Sequence, residues 1–187
     1  MKVINTSIPG VIKIQPKVHL DQRGYFFESF KTTEFLSHGL PTSFVQDNQA
    51  KSAKGVLRGL HYQLKYPQGK LVWVSKGKVL DVAVDIRQNS PTFGQYESAV
   101  LDDEDHTHFY IPPGFAHGYF VISDSAIFQY KCTEIYHPED EYGIHWDDTD
   151  IGIAWGNGDK LVSEKDKILS NLKDINSKLL PMCKEEN

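Results

Sequence analysis

Hydrophobic and polar residues alternate along most of this chain in short runs broken by turn residues, which is the two-residue period of half-buried β-strands. Residues 11–14 alternate until Pro16 interrupts them. Arg23-Gly24 reads as a turn ahead of a strand over 25–30, and residues 43–48 read as a strand that ends in polar side chains. Residues 56–62 alternate in part. Residues 70–74 run into Ser75-Lys-Gly77, which reads as a hairpin turn, and then into 79–86. Asn89-Ser-Pro-Thr is another turn, and residues 96–101, 108–111, 117–122 and 127–132 complete about ten strands at hairpin spacing. No helical period separates them, so the pattern predicts an all-β sandwich or barrel with antiparallel pairing rather than βαβ units. Two segments depart from that period. Thr32 or Thr33 is placed to cap a short helix through Leu36, stopped by Gly39 and Pro41. Ser163 is placed to cap a C-terminal helix in which Ile168, Leu172, Ile175 and Leu179 recur at helical spacing until Pro181. The last residues, 184–187, read as a frayed tail.

The chain has 187 residues without a repeat, a low-complexity stretch or a Gly/Ser linker, which predicts a single domain over 1–187 with a helical segment from about 163. Twenty basic and 25 acidic residues leave a formal charge of -5, which points to neither nucleic acid nor a membrane surface as partner. A few local arginines can still hold a diphosphate inside a net acidic protein. Cys132 and Cys183 imply no disulfide framework and suit a reducing cytoplasm. The N-terminal stretch carries no apolar signal-peptide region, and apolar runs such as 119–122 fall far short of a bilayer span. Ten Phe, nine Tyr and three Trp suit a β-rich core and a site that stacks a base or a sugar.

Candidate chemistry begins at Gly55-Val-Leu-Arg-Gly-Leu-His-Tyr-Gln63. Strict alternation would send Arg58 and His61 to opposite faces, but a bulge at Gly59 would bring them together. Taken alone, the segment is ordinarily a strand with a surface arginine and a buried, hydrogen-bonded histidine. Ile111-Pro-Pro-Gly-Phe-Ala-His-Gly-Tyr-Phe120 resembles the proline, glycine, histidine signature of cupins. Metal-binding cupins add an earlier His-x-His and a carboxylate. Here that stretch is His61-Tyr62-Gln63 followed by Leu64-Lys-Tyr-Pro-Gln68, so the expectation is a cupin with no metal. His106 and His108 stand among Asp102, Asp103, Glu104 and Asp105, a charge run that reads as a solvated turn. Lys70, in Gln68-Gly-Lys70, is a surface lysine or a stabiliser of a developing enolate oxygen. Tyr130 is a core side chain or a phenol acid aimed into the barrel. Asp166 is a helix-capping carboxylate or the orienting partner of a catalytic histidine.

In this order and spacing the motifs resemble the dTDP-4-dehydrorhamnose 3,5-epimerase family from Val3 to about Asp166. The resemblance rests on Asp21-Gln-Arg-Gly-Tyr-Phe-Phe-Glu-Ser-Phe30, Phe44-Val-Gln-Asp-Asn48, the 55–63 and 68–70 segments, Asp81-Val-Ala-Val-Asp-Ile-Arg87, Ser90-Pro-Thr-Phe-Gly94, the 111–118 segment, Tyr130-Lys131 and Ser163-Glu-Lys-Asp166. It implies a cupin-type jelly-roll β-barrel with a few short peripheral helices. It also implies a cytoplasmic enzyme on a dTDP-linked sugar, with no cofactor. By resemblance His61 is the base, paired with Asp166, and Tyr130 is the acid on the opposite face of the sugar. Lys70 steadies the enolate oxygen with Arg58 and His117 nearby, and Gln46, Asn48 and Tyr136 hold the nucleotide. Arg23, Phe26 and Glu28 would come from a strand exchanged within a homodimer. Trp73 stands where the family often carries a basic residue, and the 64–67 loop is shorter than in many members. Both departures are expected near the mouth of the site, where they bear on nucleotide preference.

The residue types fit the chemistry the resemblance implies. Protons at C3 and C5 of a 4-keto sugar lie beside the ketone, so inversion needs a base on one face, a donor on the other and a charge at the enolate oxygen. The alternatives are an epimerase acting at C3 alone, a metal-dependent cupin enzyme and a non-catalytic sugar-binding cupin.

Overall fold

A computed structural model of the chain describes residues 1–183; the tail expected to fray at 184–187 lies outside them. In chain order the strands are β1 (Lys2–Asn5), β2 (Ile12–Gln15), β3 (His19–Asp21), β4 (Gly24–Phe26), β5 (Gln46–Ala53), β6 (Val56–Gln63), β7 (Lys70–Lys76), β8 (Lys78–Asp85), β9 (Tyr96–Asp102), β10 (His108–Ile111), β11 (Phe115–Val121), β12 (Ser125–Cys132), β13 (Glu141–Gly143) and β14 (Leu161–Val162). One six-stranded sheet runs β1-β2-β10-β7-β12-β5. The second runs β13-β6-β11-β8-β9, with β14 added parallel to β6, and β3–β4 form a separate hairpin. From β5 to β12 the chain passes back and forth between the two sheets, the connectivity of a jelly roll.

The all-β jelly roll expected from the sequence is the architecture observed, as an open barrel of two sheets packed face to face. The connection after β7 differs from expectation. Ser75-Lys-Gly77 does not close a hairpin, because β7 pairs with β10 and β12 while β8 pairs with β11 and β9. Gly77 is instead the corner where the chain leaves one sheet for the other. Its φ is +82°, and a Cβ there would collide with the Ser125 carbonyl oxygen, so only glycine makes this corner without strain. Alternation alone cannot tell a turn within a sheet from a corner between sheets.

Three apolar layers fix the sandwich. Between the sheets Val72, Val74, Phe109 and Phe128 of the first pack against Val79, Leu101, Phe115 and Val121 of the second. On the outer face of the second sheet Leu57, Val82, Val84, Ile86 and Phe120 are covered by Trp155, Leu172 and Leu180 from the C-terminal segment. On the outer face of the first, Ile14, Leu71 and Tyr110 are covered by Phe35 and Leu40. Strands β8 and β11 are therefore buried on both faces, which is why their sequences read as nearly unbroken apolar runs. Each large apolar side chain buried this way contributes about 1.5–3 kcal/mol.

The helices are short. Helix α1 (Thr32–Ser37) starts from Lys31 with no side-chain cap, so neither Thr32 nor Thr33 is the capping residue. Its Phe35 is the anchor that earns the helix its place against the first sheet. The continuous C-terminal helix expected from 163 is not formed. Ser163 does cap α2 (Glu164–Lys167), its Oγ accepting from Asp166 N at 3.1 Å. The rest is two 3-10 turns at Leu172–Asp174 and Ser177–Leu179. Tertiary partners take the backbone groups that a helix would use: His145 N donates to Ser170 O, Tyr62 Oη to Leu179 O, and Gln88 Nε2 to Ser177 O and Leu180 O. Among the described residues no helix is long and apolar enough to cross a membrane.

Candidate active site

Between the sheets the apolar core gives way to a cavity of about 530 Å³ lined by both polar and apolar side chains. The period of two decides which side chains enter it. On β5 the odd-numbered residues face outward, while Gln46, Asn48 and Ala50 face in and line the cavity. Lys70 of β7 and Tyr130 of β12 project from the same sheet, and Arg58 and His61 of β6 and His117 of β11 from the facing one. Glu141 of β13, Tyr136, and Ser163, Lys165 and Asp166 around α2 complete the wall.

Arg58 and His61 share this cavity because β6 is irregular at Gly59. Along β11 the partner of His61 is His117 and the partner of Arg58 is Tyr119, so three steps on one strand match two on the other. The bulge expected from Gly59 is present at this point, and it turns both side chains to the inner face. Gly59 has φ +121°, and the peptide that follows it is cis.

His61 Nε2 lies 2.7 Å from Asp166 Oδ1, and Asp166 is buried. Burial alone would raise the Asp166 carboxyl, but the hydrogen bonds from His61, Gly59 N and Ser163 outweigh it and hold it below its ordinary value. An ionised Asp166 selects the tautomer with the proton on Nε2, which leaves the lone pair on Nδ1. A second pair stands beside it. His117 Nε2 is 3.0 Å from both oxygens of Asp81, whose side chain is fully buried. Burial pushes His117 down, opposed by the Asp81 carboxylate, so this imidazole stays neutral.

Lys70 is recessed in the wall opposite these histidines. Burial lowers its ammonium, and the nearby Cys132, Glu141 and Asp81 work against that. Burial pushes the Tyr130 phenol up to about 12, with Cys132 and Tyr119 adding to it and Arg58 opposing, so it stays protonated at neutral pH. Phe128 and Tyr119 stack at 4.1 Å between ring centres and form the apolar floor. Gln46 and Asn48 are linked to each other at 2.9 Å, and Gln46 Oε1 accepts from Tyr136 N at 2.8 Å, so these three polar groups form one rigid rim.

Sequence reasoning missed Glu141, Lys165 and Gln68 as members of this cavity. Glu141 Oε2 accepts from Tyr136 Oη at 3.1 Å and from Lys165 Nζ, and its Oε1 is 3.9 Å from His61 Nδ1. Gln68 and Lys165 lie within the motifs that carry Lys70 and Asp166, whereas nothing in the local sequence marks Glu141.

The three residues expected to come from a neighbouring subunit do not line this chain's own cavity. Arg23, Phe26 and Glu28 belong to the β3–β4 hairpin and the segment after it, where Arg23 pairs with Asp21 and Glu28 with Lys31. Trp73 departs from expectation. It faces the outer side of the first sheet, stacks on His108 and donates from Nε1 to Gln129 Oε1 at 3.1 Å, because it lies an odd number of residues from the inward Lys70. The 64–67 loop contributes no lining residue either, since the Asp140 carboxylate holds the Lys65 and Tyr66 N–H groups. Among the described residues no three His, Cys, Asp or Glu side chains converge as metal ligands.

Residues 5–174 match the family model described as dTDP-4-dehydrorhamnose 3,5-epimerase. A protein of that name from Methanothermobacter thermautotrophicus is 52% identical over 169 residues, which cover 89% of this chain and 91% of its own. The crystal structure of a dTDP-6-deoxy-D-glucose-3,5-epimerase from Legionella pneumophila, in complex with dTDP-4-keto-L-rhamnose, is similar with a TM-score of 0.95 and 48% identity, covering 98% of each chain. A 3'-monoepimerase from Streptomyces bikiniensis, in complex with dTDP-quinovose, is similar with a TM-score of 0.89 and 34% identity, over 95% of this chain and 91% of its own.

Proposed function

Because the chain belongs to the dTDP-4-dehydrorhamnose 3,5-epimerase family, we propose that its cavity inverts C3 and C5 of dTDP-4-dehydro-6-deoxy-D-glucose to give dTDP-4-dehydro-L-rhamnose. The observation that carries this reading is the opposition of His61 on one sheet, held by Asp166 of α2, to Tyr130 on the other, with the Lys70 ammonium in the same cavity. A flat sugar held between the sheets presents one face to an imidazole and the other to a phenol.

The proton at C3 or C5 goes to His61 Nδ1, and the imidazolium that forms is stabilised by Asp166. The electron pair left behind spreads onto the C4 oxygen, where Lys70 supplies a positive charge worth about 3 kcal/mol to the enolate. Tyr130 then delivers a proton from the opposite face, and the centre is inverted. Every step is a proton transfer, so the chemistry asks for no redox cofactor. Gln46, Asn48 and Tyr136 at the rim hold the nucleotide, with Arg58 and His117 against the sugar.

The same reading makes the protein a homodimer in which Arg23, Phe26 and Glu28 complete the neighbouring subunit's cavity. In support, the β3–β4 hairpin carries Leu20 79% and Phe26 67% exposed and stands apart from this chain's own cavity. We place the enzyme in the cytoplasm, the compartment that a chain with two cysteines and no disulfide framework in its sequence suits. The similarity to a 3'-monoepimerase favours one second reading, inversion at C3 alone.

Proton exchange decides between them. Purified protein is mixed with dTDP-4-dehydro-6-deoxyglucose in D2O and followed by NMR. Deuterium at both C3 and C5, lost in His61→Asn, is the expected result. Deuterium at C3 alone leaves the mono-epimerase, and exchange at neither carbon removes the epimerase reading.

A further inference from the structure

Each inversion leaves His61 with one proton more and Tyr130 with one fewer. The sugar ring lies between them, so the proton cannot cross directly, and His61 must be emptied before it serves a second centre or a second substrate. Its Nε2 side is closed by the buried Asp166, which keeps its ionised form and only orients the ring. On the Nδ1 side stands the carboxylate of Glu141. Glu141 Oε1 lies 3.9 Å away, about 1 Å beyond a hydrogen bond, a gap that a small side-chain rotation closes once the imidazole is positively charged.

Resting on the epimerase reading, we propose that Glu141 is the proton-exit relay of the site, taking the abstracted proton from His61 Nδ1 and releasing it to solvent at the cavity mouth. Its surroundings suit that task. Oε2 is held by Tyr136 Oη at 3.1 Å and by Lys165 Nζ, so the carboxylate is fixed with Oε1 left towards His61. Tyr136 is 45% exposed, which places this pair at the boundary with water. Burial would raise the Glu141 carboxyl, but Lys165, His61 and Tyr136 together hold it below its ordinary value, so it rests as the carboxylate and returns to that form by releasing any proton it receives. The step balances: the N–H bond at His61 Nδ1 breaks, an O–H bond forms at Oε1, and water or a buffer base then removes that proton and restores the carboxylate. Glu141 acts through His61 and touches neither reacting carbon in this role.

The test is chemical rescue. Glu141→Gln keeps the side-chain shape and the contact with Tyr136 but cannot carry a proton. In dilute buffer its kcat for epimerisation should fall about 10²-fold with KM changed little. Added formate or imidazole should then raise kcat in proportion to its concentration, while wild-type kcat stays flat. A Gln variant with wild-type kcat overturns the relay, and so does a loss that no buffer restores or one confined to KM, which would assign Glu141 to ligand binding or structure. If Glu141→Gln does not fold, Glu141→Asp is measured in the same way; an intermediate, buffer-dependent kcat is expected, and a kcat indifferent to buffer overturns the proposal. Absence of exchange in the wild-type protein would sink the epimerase reading and the relay together, whereas an active wild type with an unperturbed variant sinks the relay alone.

Discussion

Gly59 of β6 and Gly118 of β11 pass so close that a Cβ on Gly59 would stand 2.6 Å from Gly118 Cα and 2.7 Å from His117 O. The contact is reciprocal, since a Cβ on Gly118 would meet Arg58 O at 2.6 Å. Backbone lies on both sides, so neither strand can yield by rotating a side chain. This crossing is what allows three residues of β6 to face two of β11, and it sets Arg58, His61 and His117 around one cavity.

Gly59→Ala is therefore expected to destabilise the fold by about 1–3 kcal/mol, from overpacking and from a positive φ that alanine resists. Its effect on turnover should be far larger than its effect on stability, because His61 swings away from Asp166. Thermal melting beside the D2O exchange assay measures both. A variant that melts lower but exchanges at the wild-type rate would show that the bulge is not what aligns the base.

The Asp166 carboxyl is held below its ordinary 3.8 in the folded chain. Its contribution to stability is therefore fully present above pH 3.8 and is lost as pH falls through the lower folded value. Asp166→Asn should flatten the acid side of the melting-temperature profile in that window. At neutral pH it should cut kcat by about 10²–10⁴-fold, since the amide no longer selects the tautomer or supports the imidazolium. Retention of kcat in the variant would leave the 2.7 Å contact with a structural role only.

Much of this site was legible in the sequence, for identifiable reasons. His61, Lys70 and Tyr130 sit on strands whose alternation bears on which face they occupy, and Gly59 marks a place where alternation fails on β6. The C-terminal run was not legible. Its apolar spacing is helical, yet Ile168 is 84% exposed and Leu172 is buried, because Asp148, Gln88 and Tyr62 capture backbone groups from distant parts of the chain. The segment is also rich in Ser, Asn and Asp, whose side chains compete with the helix for backbone partners. Glu141 and Lys165 escaped for a related reason. They meet only because β13 and α2 dock on either side of His61, a tertiary fact that no local pattern carries.

Lys70 sets stability against function. Burial opposes its charge, and the nearest opposing influences are a thiol and two carboxylates engaged elsewhere. Lys70→Met fills a similar volume without a charge, so the melting temperature should hold or rise by a few degrees. Exchange at C3 and C5 should nevertheless fall by about 10²–10³-fold, as the enolate loses its counter-charge. A parallel loss of stability and activity would place Lys70 among the structural residues instead.

The hairpin offers the most direct test of how a complete site is assembled. If Arg23 and Phe26 serve the neighbouring subunit, each cavity takes its base from one chain and its hairpin from the other. Arg23→Ala in one preparation and His61→Asn in another should each be nearly inactive as pure dimers. Mixing them under conditions that exchange subunits produces hybrids. In a hybrid, the cavity of the Arg23→Ala chain keeps His61 and receives an intact hairpin from the His61→Asn chain. The other cavity carries both defects. Activity should thus reappear on mixing and approach about a quarter of the wild-type level with equal inputs, because half the dimers are then hybrids and each has one sound site of two. If the hairpin served its own chain, every cavity in the hybrid would keep a single defect and mixing would restore nothing. On the proposed exchange, the exposed Leu20 and Phe26 supply apolar surface to the neighbouring subunit, so Phe26→Ala should weaken the dimer, as sedimentation would show, while Arg23→Ala should leave the assembly intact.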